Sequence, residues 1–423
     1  MIRIYYYKLK NKILFSFNEY KNLDSINDKD AKENTKDNNI IYFLGELNPE
    51  KSRRSFALSD PSLIFLEYEG INLINKNKTY KTNINIIPQW IQSKIDAKEV
   101  TFINTNYPNW ESALDIYKPK KWKVNVLGLG DVGTTLLTGL RLLGDDSISE
   151  IGIYARSKNK VKRWVLEMNQ VLSPFNSKSF PTVVGVSKEE LFDCDMFVFC
   201  ASKGVPPVGS DIDDVRMFQF KENSKIITEY GKMAREKDFK GIFAVVSDPV
   251  DLLCKVSFLE SNRNESGELD FKGLAPEQIR GYGLGVMNAR ASYYAQQEEE
   301  TIAYLNEGRA FGPHGDGLII ANSIANYDDA ISNYLTEKAQ TANLEVREIG
   351  FKPYIAPALS SGTLSILATI RGQWHYSATY MGGVFIGANN RYINSGIELE
   401  QLKLPELLIN KLKNTYRKLE DII

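Results

Sequence analysis

The run "VNVLGLGDVGTTLLTGL", residues 124–140, sets three glycines, Gly128, Gly130 and Gly133, between an apolar strand-like segment and an apolar helix-like one. Few backbones accept that arrangement. Gly128 permits a tight turn, Gly130 lets the chain approach a pyrophosphate, and Gly133 lets the helix pack on the strand. The helix start then offers free N–H groups and a positive dipole end to phosphates. Further runs continue the alternation: "EIGIYA", "KVKRWVLEMNQVL", "DMFVFCA", "SKIITEYGKMARE" and "IFAVVSD". Strand-length apolar runs joined by helices of about ten to fifteen residues predict βαβ units on a parallel sheet. The reading is an α/β Rossmann domain over 120–256, with Gly128, Gly130, Asp131, Val132 and Gly133 forming the cofactor loop.

Residues 1–119 read differently. Short β-like runs, "IRIYYYKL", "ILFSFNEY", "NIIYFLGEL", "SLIFLEYEGINLI" and "EVTFIN", surround a polar stretch at 24–39 that reads as a loop. This predicts a β-rich α+β module that is structural, an oligomer contact, or regulatory. From 257 to 423 the pattern is mixed α/β and ends in an amphipathic helix, "LPELLINKLKNTYRKLEDI". A net charge of −1 gives no field favouring nucleic acid or an anionic membrane. No stretch approaches 18 uninterrupted apolar residues, so no membrane span is expected. Cys194, Cys200 and Cys254 lie in apolar runs, with spacing that suits neither disulfides nor zinc. They read as core residues of a cytoplasmic protein without a metal site.

The end of the second Rossmann strand bears on the cofactor. A carboxylate there would hold the ribose 2′-hydroxyl of NAD, but the sequence gives Ala155, Arg156, Ser157 and Lys158. Arg156 and Ser157 can bind a 2′-phosphate by charge-assisted hydrogen bonds, so NADP(H) is the predicted preference, with NAD(H) possible.

Four further segments follow in order: "VVSDPVDLLCKV", "IRGYGLGVMNARASYYA", "FGPHGDG" and the tail from "GGVFIGANNRYINSGIELE" onward. With the glycine loop they make residues 122–423 resemble the lactate/malate dehydrogenase family of L-2-hydroxyacid dehydrogenases. Residues 1–119 lie outside the resemblance, as does an insertion near 257–275. The resemblance implies a Rossmann domain, a mixed α/β substrate domain over 257–423, and a homo-oligomer, dimer or tetramer. It implies hydride transfer between the nicotinamide and a small 2-oxo or 2-hydroxy acid.

It also implies roles. His314 matches the proton donor to the carbonyl oxygen, which suits a side chain that titrates near neutrality. Arg290 matches the arginine that grips the substrate carboxylate with two parallel N–H···O bonds. Arg216 matches the loop arginine that polarises the carbonyl, unless it pairs with Asp213 or Asp214 beside it. Asp248 stands where the family has an asparagine and is assigned to the cofactor. Ser361 and Thr363 border the substrate pocket. His375 carries no motif and reads as packed or at an interface.

The pattern breaks at Met287, where the family places the aspartate that orients the histidine. Without a carboxylate partner, imidazolium is harder to form. Either another acid supplies the contact, or a different carbonyl or imine is reduced, or cofactor binds without turnover. Two alternatives to a small-acid dehydrogenase therefore stay open: a catalytically impaired NADP(H)-binding sensor or scaffold, and a biosynthetic reductase of a larger carbonyl or imine.

Overall fold

The computed structural model describes residues 3–35, 40–76, 86–115, 118–176, 180–203 and 215–423. The first module begins with β1 (Tyr5–Leu9), β2 (Lys12–Ser16), β3 (Asp24–Ile26), α1 (Asp28–Asn34) and β4 (Ile41–Gly45). It closes with β5 (Ser55–Ala57), α2 (Gln89–Asp96) and β6 (Val100–Asn104). Among the described residues its sheet has the order β3-β1-β2-β4-β6-β5, and β2, β4 and β6 run parallel.

Two local expectations change. The polar stretch expected as a loop from residue 24 forms β3 and then α1 because Asn27 caps the helix, its side chain accepting from the Asp30 N–H, and Ala31 buries. The run "SLIFLEYEGINLI" is not a strand. It makes two 3₁₀ turns, Pro61–Phe65 and Ile71–Ile74, the first started by Pro61 with the Asp60 side chain accepting from Ser62 N–H.

The second sheet starts with β7 (Trp122–Leu127), α3 (Asp131–Leu143), β8 (Ile148–Tyr154), α4 (Lys158–Gln170), β9 (Thr182–Gly185) and β10 (Met196–Phe199). It continues with α5 (Val215–Glu236), β11 (Ile242–Val245), α6 (Val250–Ser261), β12 (Ile279–Gly281) and α7 (Leu284–Ala295). The parallel order β9-β8-β7-β10-β11-β12 is that of a doubly wound dinucleotide-binding sheet, with its switch point between β7 and β10. Helix α6 crosses position 257, and the sixth parallel strand follows it.

The pleat explains the layering. Met196 and Val198 face a core shared with Leu136, Leu140 and Ile366, whereas Phe197 and Phe199 face one shared with Ile227, Leu253 and Phe258. Helices thus cover both faces, and the strands between them are apolar throughout.

The chain then forms α8 (Tyr304–Glu307), the hairpin β13 (Arg309–Phe311) and β14 (Ile319–Ala321), and α9 (Asp329–Glu348). A π-helical stretch, Pro357–Leu364, leads into α10 (Ser365–Arg371). The antiparallel strands β15 (His375–Met381), β16 (Val384–Ile393) and β17 (Gly396–Leu399) extend the main sheet beyond β12. The predicted C-terminal amphipathic helix is α11 (Glu406–Ile422), which buries Leu408, Ile409, Leu412 and Leu419.

The first module is not a separate bead. Phe15, Phe43, Phe56 and Phe102 share one apolar cluster with Met381, Ile386, Leu399, Leu408 and Leu412. At the junction Glu277 accepts from the backbone N–H and Nε of Arg54 and from Ser55 Oγ, at 3.1–3.2 Å. None of the described helices is long and apolar enough to cross a membrane.

Candidate active site

The carboxyl ends of the parallel strands place the site residues side by side. At the end of β7, Gly128 has φ +100° and passes so close to Cys200 and Ala201 that a Cβ would lie 2.9 Å from their backbones. Gly133 is more crowded: its Cβ would sit 2.0 Å from the Gly128 carbonyl oxygen. Gly130 differs, because nothing lies within 4 Å of a Cβ built there. Gly130 also opens α3 with no side chain capping its first turn. Two crowded glycines shape the loop, and the third leaves open space before unclaimed N–H groups. That is the fit a pyrophosphate requires. Asp131 is exposed and pairs with Lys352 at 3.2 Å, and Val132 is half-buried.

At the end of the neighbouring β8, Arg156 and Ser157 are both exposed. Ser157 caps α4 by accepting from Lys160 N–H, which leaves its hydroxyl proton to donate. Arg156 lies within electrostatic range of Tyr230 on α5, where burial pushes the phenol up to about 12 and Arg156 opposes it.

On the other side of the switch point, β10 leads to Ala201 and β11 to Ser247 and Asp248. Ser247 Oγ donates to the Ala201 carbonyl at 2.8 Å. His314 meets this edge from the turn between β13 and β14. Its Nδ1 lies 2.7 Å from Asp248 Oδ1. An ionised carboxylate only accepts, so the contact holds a proton on Nδ1 and leaves Nε2 as the exchangeable nitrogen. The turn is built for this approach. Gly312 (φ +92°) donates its N–H to the Gly387 carbonyl, and the His314 N–H reaches Asp251 Oδ2 at 3.3 Å. Gly283, just before α7, lies against His314, and a Cβ there would be 2.9 Å from the histidine Cβ.

Arg290, two turns along α7, donates from Nη1 to the Ala339 carbonyl at 3.3 Å. Burial lowers its guanidinium from the ordinary range, while the charge of Asp248 opposes that shift. Asp248 is therefore the common neighbour of His314 and Arg290. Met287 is buried among Leu284, Ala291 and Leu318, with its sulfur 3.8 Å from Arg290 Nη1.

The remaining candidates sit elsewhere. Ser361 is buried: its Oγ donates to the Gly283 carbonyl and accepts from Val286 N–H, so it caps α7 from outside the helix. Thr363 is buried against α3, bonded to the Leu136 carbonyl and closed off by Gly139. Both hydroxyls brace the wall behind the site and are spent inside it. The backbone of Arg216 lies in the first turn of α5, and its side chain is outside the described residues, as are Pro206, Pro207, Asp213 and Asp214.

Two contributors escaped the sequence reading. Asp251 holds the His314 backbone. Asn223 on α5 is fully buried and donates from Nδ2 to the Asp248 carbonyl at 2.7 Å, while its Oδ1 accepts from Lys203 N–H at 2.9 Å. A signal for Asn223 exists: it falls on the apolar stripe of α5 between Phe220 and Ile227, where a polar residue needs a partner.

Sheet order and glycine loop together define a doubly wound dinucleotide-binding protein with a histidine–carboxylate pair at its ligand edge. Residues 122–267 match the lactate/malate dehydrogenase NAD binding domain. L-lactate dehydrogenase 2 of Staphylococcus aureus is 28% identical over 224 residues, which are 52% of this chain and 63%, less than two thirds, of that protein. A lactate dehydrogenase from a Medee basin deep-sea metagenome library superimposes with a TM-score of 0.58 at 20% identity, covering 72% of this chain and 98% of that one. Malate dehydrogenase from Archaeoglobus fulgidus, in complex with NADH, gives 0.55 at 19% identity, covering 71% and 97%. Residues 122–267 thus match the NAD binding domain of the lactate/malate dehydrogenases, the chain shares their fold over about seven-tenths of its length, and residues 1–119 form an additional N-terminal module.

Proposed function

We propose that the protein is an NAD(P)-dependent oxidoreductase acting on a small 2-oxo or 2-hydroxy acid. The observation that supports this best is the convergence of His314, Asp248 and Arg290 on one strand edge, two strands from the open glycine loop. Gly128, Gly130, Gly133 and the first turn of α3 would hold the pyrophosphate. The bound nicotinamide supplies or accepts the hydride at the substrate's second carbon. Arg290 grips the substrate carboxylate and so fixes which face of the carbonyl is presented. His314 gives its Nε2 proton to the carbonyl oxygen on reduction and takes it back on oxidation. Arg216 polarises that carbonyl. Arg156 and Ser157 favour NADP(H), since both can donate to a 2′-phosphate and no carboxylate stands among residues 155–158. Within this reading the enzyme is cytoplasmic, in keeping with three free cysteines, and homo-oligomeric, as the resemblance implies.

The test is oxidation of NADPH and NADH over a panel of 2-oxo acids, alongside cofactor titration. Wild type turns over at least one acid, with the higher specificity constant for NADPH. His314→Ala binds cofactor equally well and loses about 10²- to 10⁴-fold in kcat. Cofactor binding by wild type without oxidation by any acid would overturn the enzyme reading in favour of a sensor or scaffold. A higher constant for NADH would overturn only the cofactor preference.

A further inference from the structure

We infer that Asp248 is the positioning residue for His314, so that the carboxylate missing at Met287 is supplied instead by the end of strand β11. The inference rests on the oxidoreductase reading for its kinetic meaning, but its geometry stands apart from it.

Three observations carry it. Asp248 Oδ1 lies 2.7 Å from His314 Nδ1, within the range of a charge-assisted hydrogen bond. Both partners are tied to one short segment: Asn223 holds the Asp248 carbonyl, Ser247 is fastened to Ala201, and Asp251 holds the His314 N–H. Position 287 holds a methionine packed among Leu284, Ala291 and Leu318, with its sulfur toward Arg290, and so offers the imidazole no carboxylate. Asp248 is about half exposed, its side chain 47% accessible, so water shares the cost of keeping it ionised.

The relocation has a consequence that a carboxylate at 287 would not share. The acid stands where the resemblance places a neutral asparagine, at the strand edge facing the cofactor loop. One negative charge is added beside Arg290, the group assigned to the substrate carboxylate, and it pulls on the same guanidinium. The site gains imidazole orientation and gives up part of its attraction for an anionic substrate.

Four proteins test this: wild type, Asp248→Asn, Met287→Asp and the double exchange Asp248→Asn/Met287→Asp. In Asp248→Asn, kcat for the best 2-oxo acid falls about 10- to 10³-fold, while KM for that anion drops about two- to tenfold. A residue that merely supported the fold would not lower both. In the double exchange kcat recovers at least tenfold over Asp248→Asn. A second readout needs no turnover. The chain has two histidines, so ¹⁵N-imidazole NMR of the cofactor-free protein assigns them with a single His375→Gln control. In wild type the His314 Nδ1–H resonance lies far downfield, and it is lost in Asp248→Asn. An unchanged His314 spectrum in Asp248→Asn, or an unchanged kcat in Asp248→Asn when wild type turns over, overturns the inference. A lost resonance in a protein that reduces no 2-oxo acid leaves the pair intact and sinks the proposed reaction instead. If Met287→Asp does not fold, the Asp248→Asn kinetics and spectrum still decide.

Discussion

His314 and His375 are the chain's two histidines, and the protein treats them in opposite ways. His375 is buried and stacks on Tyr282, with Thr369 Oγ1 2.8 Å from its Nε2 and the guanidinium of Arg280 beside it. Burial first, and then the charge of Arg280, lower it to about 3. The unfolded chain therefore binds this proton before the folded one does. The stabilising contribution is complete above about pH 6.5 and drains away as the pH falls toward the folded-state value. Urea denaturation at pH 7 and pH 5 should show wild type losing about 2 kcal/mol more than His375→Gln over that interval. At this scale much was legible. The family resemblance of "NARASYY" and "FGPHGDG" singled out Arg290 and His314, which the fold brings together beside Asp248, and a packed reading suited His375. The partner of His314 was not legible, because Asp248 lies 66 residues away in sequence and meets the imidazole only where the β13–β14 turn is held by Gly387 and Asp251. Ser361 and Thr363 were placed near the pocket by position alone, and position does not say which way a hydroxyl turns.

Among the elements, the glycine loop yields a paired expectation. Gly130→Val leaves the melting temperature near that of wild type, since open space surrounds the position, but weakens cofactor binding about tenfold or more. Gly133→Val destabilises by about 3 kcal/mol or more, because its Cβ would press on the Gly128 carbonyl. Thermal melts with and without cofactor distinguish the two. The strand-and-helix alternation of the Rossmann half was readable because both faces of its sheet are covered, which makes each strand apolar throughout. The first module was less so. "SLIFLEYEGINLI" has strand composition, yet Pro61 just before it and Gly70 within it each start a turn whose apolar residues pack on other elements, and short apolar runs do not report which element they join.

Across the whole molecule, composition suggested a module appended to an enzyme, whereas the interior is continuous from Phe15 to Leu412. Its polar fastener is Glu277, buried against Arg54 with both side chains about one-tenth exposed. Glu277→Ala leaves that guanidinium without its carboxylate and should cost about 3–5 kcal/mol in denaturant unfolding. A chain starting at residue 120 would present Met381, Ile386, Leu399 and Leu408 to water, and is expected to be aggregated on gel filtration. Seating the module on the last strands and α11 also sets a timetable. Phe102 leaves the ribosome roughly 300 residues before Leu412, about 15–60 s at ordinary elongation rates, and throughout that wait the face that Met381, Ile386, Leu399 and Leu412 later cover is open. Holdase chaperones are therefore expected on ribosome-bound chains that end before residue 380, and co-purification of such stalled chains checks it.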